Sequence, residues 1–232
     1  MIDARDLALQ ASCPVIAAPR FGEFPRMEQN GQRIVVAANG IFVQVRLDWL
    51  DAIQRITPDT PAMPLPYGIV HEKLNFAFGV LPISLFEKFI EAGRRHLPNE
   101  VAGALVYSRH TGTLRFALCE SLNASPGSVD YRLPPMDADE TVAVDLHTHG
   151  CFAPSWSMTD NRDDMGIKIA GVFGRLHQPR PQAAFRLVIN GMRRSLANPW
   201  QEEKVEPIAP ALETKLFPRI LSWWKQTGYV KG

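Results

Sequence analysis

The sequence predicts an α+β fold in which helices flank a mixed β-sheet, with a smaller β-rich domain ahead of it. Three observations support this fold class: two β-branched runs that meet at Asn39-Gly40, a proline-rich stretch, and an amphipathic segment followed by several short apolar runs. The predicted organisation is a β-rich accessory domain over residues 1–70, a main domain over 74–195 and a helical extension over 196–232.

The N-terminal domain is predicted from a hairpin. RIVVAANGIFVQVRL, residues 33–47, places two strand-like runs around Asn39-Gly40, a dipeptide that favours a tight hairpin turn. Residues 48–56 then predict a short helix. Four prolines between positions 58 and 66 can continue neither a helix nor a central strand, so this stretch is predicted to be a linker.

The main domain is predicted to begin with a helix over residues 82–97. Pro82 fits the first turn of a helix, Pro98 ends it, and apolar residues recur between them at helical spacing. These apolar residues are Leu85, Phe86, Phe89 and Ile90. Short apolar runs predict five strands, over residues 100–108, 114–122, 141–149, 167–176 and 183–191. Residues 211–228 predict a further helix.

Composition excludes several classes of protein. Hydrophobic residues make up 46% of the chain and charged residues 21%, which is typical of a globular protein. Lys and Arg total 25 against 24 for Asp and Glu, so neither a nucleic acid nor an acidic membrane is an expected partner. Three cysteines without a CxxC pair argue against a disulfide framework. Since no run approaches the roughly 18 apolar residues that span a bilayer, a cytoplasmic location is expected.

Two histidines stand at the end of the apolar run over residues 141–149. Residues i and i+2 of a strand point to the same face, so His147 and His149 can direct both imidazoles to one point. A catalytic zinc ion, bound at about 2.0–2.1 Å from each nitrogen, needs a third protein ligand and an open fourth position. Asp160 can be that ligand, because the intervening Gly and Pro indicate a loop that returns the chain.

Hydrolysis at such a site also requires groups that do not bind the metal. Glu100, where the first helix gives way to a strand, is the candidate base that takes a proton from water and passes it to the departing amine. Ser157 could donate its hydroxyl to the developing oxyanion. The alternative for Ser157 and Asp160 is a purely structural role as helix caps.

The order of these residues resembles a known family. Glu100, then His147-Thr148-His149, seven residues, and Ser157 three residues before Asp160 is similar to the JAMM signature of the JAB/MPN metalloproteases, E followed by HxHx7SxxD. The resemblance implies a zinc-dependent peptidase or isopeptidase that cleaves after the C-terminal glycine of a ubiquitin-like protein. It also implies His147, His149 and Asp160 as zinc ligands, Glu100 as acid and base, and Ser157 as oxyanion stabiliser.

The length and the β-rich N-terminal domain resemble those JAB proteins that bacteria encode in PRTRC gene cassettes. Such cassettes also carry ThiF-like and ubiquitin-conjugation-like components, which the resemblance implies as partners beside a ubiquitin-like protein or its conjugate. Gly150 stands where many members of the family have proline, so a different loop path is expected after His149. Residues 123–140 lie where such enzymes carry a substrate-contacting loop.

Two other functions remain open from the sequence. The first is a catalytically idle JAB scaffold that binds cassette components through the N-terminal domain or the Trp-rich C-terminus. The second is a metal-dependent hydrolase of another substrate, such as a phosphoester or a small amide. Cys151 is interpreted as an inert loop cysteine, the alternative being a redox-sensitive thiol that masks the metal.

Overall fold

The computed structural model describes residues 2–58, 65–197 and the backbone of 200–201. The chain forms two compact units, residues 1–79 and residues 80–232, each with its own sheet. Most of the predicted linker and the whole of the predicted helix over residues 211–228 lie outside the described residues.

The first unit is a five-stranded sheet in the order β1-β2-β3-β4-β5, in which only β1 and β2 are parallel. The predicted hairpin is confirmed, since Ala37 pairs with Gly40 at the turn and Gly40 has a φ of 137°. The elements of this unit are α1 (Ala4–Ser12), β1 (Val15–Ala17), β2 (Gly31–Ala37), β3 (Gly40–Arg46), β4 (Leu50–Arg55) and β5 (Lys73–Phe76).

The helix predicted over residues 48–56 is wrong. The segment forms β4, which pairs with β3 on one side and with β5 on the other. Leu50, Ala52 and Ile53 are buried there, so tertiary pairing and burial outweigh the local preference of a short segment. The partner strand β5, beyond the proline-rich stretch, belongs to the first unit.

The second unit contains a six-stranded sheet in the order β14-β13-β12-β11-β7-β8. β11 and β12 run parallel and the other pairs are antiparallel, so the sheet is mixed and the predicted α+β fold class is confirmed. The elements of this unit are β6 (Leu81–Pro82), α2 (Ile83–Arg95), β7 (Ala102–Ser108), β8 (Leu114–Leu118), β9 (Glu120–Ser125), β10 (Ser128–Arg132), β11 (Glu140–Thr148), α3 (Met158–Asp163), β12 (Ile167–Gly174), β13 (Gln182–Ile189), β14 (Met192–Leu196) and β15 (Trp200–Gln201).

Helix α2 confirms the helix predicted from Pro82 and covers one face of this sheet. Phe86 and Phe89 are fully buried, and the ring of Phe86 packs 5.7 Å from that of Phe173 and 5.4 Å from that of Phe185. The helix therefore closes the core on one side and leaves the opposite face of β11, β12 and β13 available for polar side chains.

The strand predicted over residues 114–122 is broken. It ends as β8 at Leu118, and after Cys119 the chain leaves the main sheet as β9, which pairs with β10 in a separate hairpin. This hairpin occupies most of the first half of the segment 123–140. Among the described residues, no helix is long and apolar enough to cross a membrane.

Candidate metal centre

Strand β11 brings the two histidines to one face of the sheet. The buried side chain of Thr148 points to the opposite face, where its Oγ1 accepts a hydrogen bond of 2.9 Å from the backbone N–H of Val101. The Nε2 atoms of His147 and His149 lie 3.2 Å apart. The predicted strand is confirmed as far as Thr148, so His147 lies within β11 and His149 is the first residue beyond it. The N–H of His149 still donates to the carbonyl of Phe173 at 2.7 Å, which keeps its ring beside that of His147.

Asp160 reaches the histidines from helix α3. A capping box begins this helix, in which Ser157 Oγ accepts from the N–H of Asp160 at 3.0 Å and Asp160 Oδ2 accepts from the N–H of Ser157 at 2.6 Å. The same carboxylate places Oδ1 3.1 Å from His147 Nε2 and Oδ2 3.6 Å from His149 Nε2. Asp160 is therefore both a capping residue and a neighbour of both imidazoles.

The three side chains fit a zinc ion. Each offers one ligand atom, and these atoms all lie within 4.8 Å of one another. Two ligands about 2.0–2.1 Å from a tetrahedral zinc are about 3.3–3.4 Å apart. The two Nε2 atoms are 3.2 Å apart, and each lies at a similar distance from one oxygen of Asp160, 3.1 Å from Oδ1 for His147 and 3.6 Å from Oδ2 for His149. Two imidazoles and one carboxylate are also a donor set that zinc uses in catalytic sites.

The charges in this cluster stabilise one another. Burial raises the pKa of Asp160, but hydrogen bonds from His147 and His149 outweigh it and hold the pKa far below its ordinary value. The carboxylate of Asp160 in turn raises the pKa of His149, against the opposing effect of its burial.

Glu100 and the two histidines line the same cavity. This cavity has a volume of about 440 Å³. It is 5% exposed, and its backbone N–H donates to the carbonyl of Ser125 at 2.9 Å. Burial raises the pKa of Glu100, while the nearby His149 and His147 oppose the rise. A buried carboxyl group with a raised pKa is suited to accept and return a proton near neutral pH.

The cavity has two further walls. One is the β9–β10 hairpin, which contributes residues 127–131. The other is the loop and helix after His149, which contribute Phe152, residues 155–157 and several polar side chains of α3. The segment 123–140 thus supplies part of the cavity wall, and the predicted site residues His147, His149, Ser157, Asp160 and Glu100 all line one cavity.

The loop after His149 differs from a proline-containing one. Gly150 has a φ of 50°, in a region that proline cannot adopt, and a Cβ there would lie 2.7 Å from the carbonyl oxygen of Pro98. Gly174, at the end of β12, packs directly against the backbone of Phe152 and leaves no room for a Cβ. The two glycines let this loop lie against the end of the sheet.

Cys151 is exposed and is not among the described residues that line the cavity.

Sequence reasoning missed two charged groups next to the site. Asp145, which precedes His147 by two residues on the same face of β11, accepts from Tyr131 Oη at 2.9 Å and pairs with Lys168 Nζ at 2.7 Å. Arg186 pairs with Asp164, and both are at least 95% buried. Single charged residues inside the apolar runs VAVDLH and AAFRLVI are the signal, since a buried charge requires a partner.

Comparisons with known proteins agree with the division of the chain into two units. Residues 3–77 match the family model described as a domain of unknown function (DUF2016), and residues 82–188 match the model of prokaryotic homologs of the JAB domain. The solution structure of protein DSY2949 from Desulfitobacterium hafniense is similar at 18% identity, with a TM-score of 0.41 over 53% of this chain and 92% of that one. No curated protein matches the chain.

Proposed function

Since the chain contains a domain of the prokaryotic JAB family at residues 82–188, we propose that it is a zinc-dependent peptidase or isopeptidase. Its proposed reaction is hydrolysis of the peptide or isopeptide bond after the C-terminal glycine of a ubiquitin-like protein. The supporting observation is the convergence of His147, His149 and Asp160 within 4.8 Å, in a cavity that also contains the buried Glu100.

In this proposal His147, His149 and Asp160 hold a single zinc ion. When bound, zinc supplies Lewis acidity that makes a water molecule more acidic and polarises the substrate carbonyl. The Asp160 carboxylate is held by its capping bond to the N–H of Ser157, and its Oδ1 lies 3.1 Å from His147 Nε2. This ligand would therefore be oriented before an ion binds, which would lower the cost of assembling the site.

Glu100 is proposed to move the proton. Its carboxylate takes the proton from the attacking water and delivers it to the departing amine, so the leaving group departs neutral. The backbone of Glu100 is fixed to Ser125, and Val101 beside it is fixed to Thr148 between the two histidines. These bonds hold the base and the two imidazoles in one frame.

Ser157 is proposed to stabilise the oxyanion. Its Oγ already accepts the N–H of Asp160, which uses an oxygen lone pair and leaves the hydroxyl hydrogen available for donation. The residue is exposed at the cavity, where a substrate oxygen could accept that hydrogen. The capping role and the catalytic role of Ser157 are thus compatible.

The proposed substrate segment is an extended tail. Strand β10 pairs only with β9 among the described residues, and residues 127–131 of the hairpin line the cavity, so the free edge of β10 offers backbone groups to an added strand. A flexible tail ordered in this way would bring its scissile carbonyl toward Glu100 and the histidines. ThiF-like and ubiquitin-conjugation-like proteins of a PRTRC cassette are the proposed partners.

The test uses ubiquitin-like proteins that carry C-terminal extensions, incubated with the zinc-loaded protein with and without a chelator. We expect cleavage after the terminal glycine, its loss on chelation and its return when zinc is added back. Failure to cleave any fusion while zinc remains bound would contradict the peptidase proposal. Capture of the uncleaved fusion in that case would favour the scaffold, and turnover of phosphoesters or small amides would favour the other hydrolase.

A further inference from the structure

Helix α3 carries the third proposed ligand but has no apolar anchor. It contains six residues, none of them buried, and Met158 at its start is 82% exposed. A helix this short is not stable by itself, so contacts made by the rest of the protein must determine where it lies. The position of Asp160 relative to the histidines therefore depends on polar contacts of the segment 156–164.

Arg186 makes three of these contacts from strand β13, and Arg193 makes two, to Asp164 Oδ2 and to the carbonyl of Asn161. The guanidinium of Arg186 lies 3.6 Å over the ring of Trp156, donates from Nη1 to Asn161 Oδ1 at 2.9 Å, and pairs through Nη2 with Asp164 Oδ2 at 2.6 Å. These partners stand before, within and at the end of α3. One side chain thus holds the ligand-bearing segment at three points along its length.

The sheet places Arg186 where it can do this. In the register of the main sheet Asp145 pairs with Ala170, and Ala170 pairs with Arg186, so the three residues form one row across β11, β12 and β13. The small side chain in the middle of that row leaves room above the sheet for the segment 156–164. Arg186 is only 4% exposed, and its charge is paired with that of Asp164, although Nε and Nη2 make no well-aligned hydrogen bond to any described residue.

We propose that Arg186 is a positioning residue of the metal centre, which fixes the segment 156–164 so that the Asp160 carboxylate meets His147 and His149. This inference rests on the proposed zinc site. Trp156 also links Arg186 to β11, because the ring of Trp156 lies 6.2 Å from that of His147. Arg193 supports the same segment from its more exposed side, through Nε to Asp164 Oδ2 at 2.8 Å.

The role requires the planar fork of arginine. A guanidinium can stack on an aromatic ring while it pairs with a carboxylate and donates to an amide, whereas the ammonium of lysine is a point charge on a flexible stem. Arg186→Lys therefore keeps the positive charge beside Asp164 but cannot keep all three contacts. The substitution removes the positioning without leaving a buried carboxylate unpaired.

The test measures the dissociation constant for zinc by competition with a chelating dye. We expect Arg186→Lys to weaken zinc binding about 10-fold, the low end of the loss seen when a group bonded to a ligand is removed, because Arg186 acts on Asp160 only through its neighbours. Arg94→Lys is the matched control, because Arg94 also clamps a segment of this unit, donating to the carbonyls of Leu176 and Gln178 instead of to α3. This control should bind zinc as the wild type does.

A double-mutant cycle with Asp160→Ala separates positioning from a general loosening of the domain. If Arg186 acts through Asp160, Arg186→Lys costs little further zinc affinity once Asp160 has been removed. An equal loss in both backgrounds, or no loss in the wild-type background, would overturn the proposal. Should Arg186→Lys fail to fold by circular dichroism, Asn161→Ala takes its place, with a several-fold loss expected and no loss contradicting it.

The outcomes distinguish this inference from the proposed function. If Arg186→Lys weakens zinc binding but the wild type cleaves no fusion, the positioning role stands and the peptidase proposal is contradicted. If the wild type cleaves a fusion but Arg186→Lys leaves zinc affinity unchanged, the peptidase proposal stands and the positioning role is contradicted. Absence of zinc binding in the wild type would remove both.

Discussion

The proposed ligands come from two regions that are built differently. β11 lies between β7 and β12 in the main sheet, so backbone pairing on both sides fixes the position of His147. His149 follows directly after β11 and is fixed on one side, where its N–H donates to the carbonyl of Phe173. Helix α3, which carries Asp160, is exposed and has only six residues. It is held by a capping box at its start and by the buried ion pair between Arg186 and Asp164 at its end. The comparison shows that a rigid strand can provide two ligands by alternation alone, whereas a surface helix must be positioned side chain by side chain.

The largest expected effect removes a ligand from the rigid region. His147→Ala should reduce zinc binding by well over 100-fold, because loss of a direct ligand exceeds the 10- to 100-fold loss typical of outer-sphere changes. Zinc content after dialysis measures it. The exposed His177 provides the control His177→Ala. A His147→Ala protein that keeps one equivalent of zinc would break the assignment of the strand ligands.

The next effect separates the catalytic role of Glu100 from zinc binding. Glu100→Gln removes the proton acceptor and should lower turnover of a ubiquitin-like fusion by about 10²- to 10⁴-fold, while zinc binding persists. Steady-state cleavage and zinc content are measured on the same preparation. Glu91→Gln is the control, since Glu91 is an exposed residue of α2 that pairs with Arg95. Unchanged turnover in Glu100→Gln would refute the role of this carboxylate.

A smaller effect tests the helix region. Ser157→Ala should lower kcat by about 100-fold through loss of the oxyanion donor, and the free energy of unfolding by about 1 kcal/mol through loss of the cap. Ser157→Thr keeps a hydroxyl that can cap and donate, so it should restore much of both. Stopped-time cleavage assays and urea denaturation give the two values. If Ser157→Ala lost stability but kept full turnover, Ser157 would be a cap alone.

The smallest expected effect concerns how readily the backbone of the two regions opens. In the apo protein, amide hydrogens of residues 156–164 should exchange faster than those of β11, because a short exposed helix opens more readily than a central strand. Zinc should slow exchange in α3 by about 10-fold or more and change β11 little, since the ion joins the helix to an already rigid strand. Hydrogen exchange followed by mass spectrometry measures both. Equal slowing in the two regions would contradict the difference drawn between them.

Much of the site could be predicted from sequence because it follows from local geometry. Strand alternation sufficed for His147 and His149, and the spacing to Asp160 together with the family signature indicated the third ligand. The helix over residues 48–56 was predicted wrongly, since the segment forms a strand between β3 and β5. One of these partners, β5, lies beyond the proline-rich stretch, and long-range pairing has no local signal.

The contacts of Arg186 escaped prediction for a related reason. Its partners in the segment 156–164 lie more than 20 residues earlier in the chain, and only the folded sheet brings them together. A lone charge in an apolar run requires some partner, but local spacing cannot identify it. The same holds for Asp145, whose partners Tyr131 and Lys168 stand on separate strands.

X-ray absorption at the zinc edge, recorded on the purified wild-type protein, shows which atoms bind the metal. We expect one zinc per chain with a first shell of nitrogen and oxygen at about 2.0–2.1 Å and the outer-shell signature of two imidazoles. A shell that contains sulfur at about 2.3 Å would instead indicate Cys151 as a ligand. That result, or a protein that binds no zinc, would contradict the account.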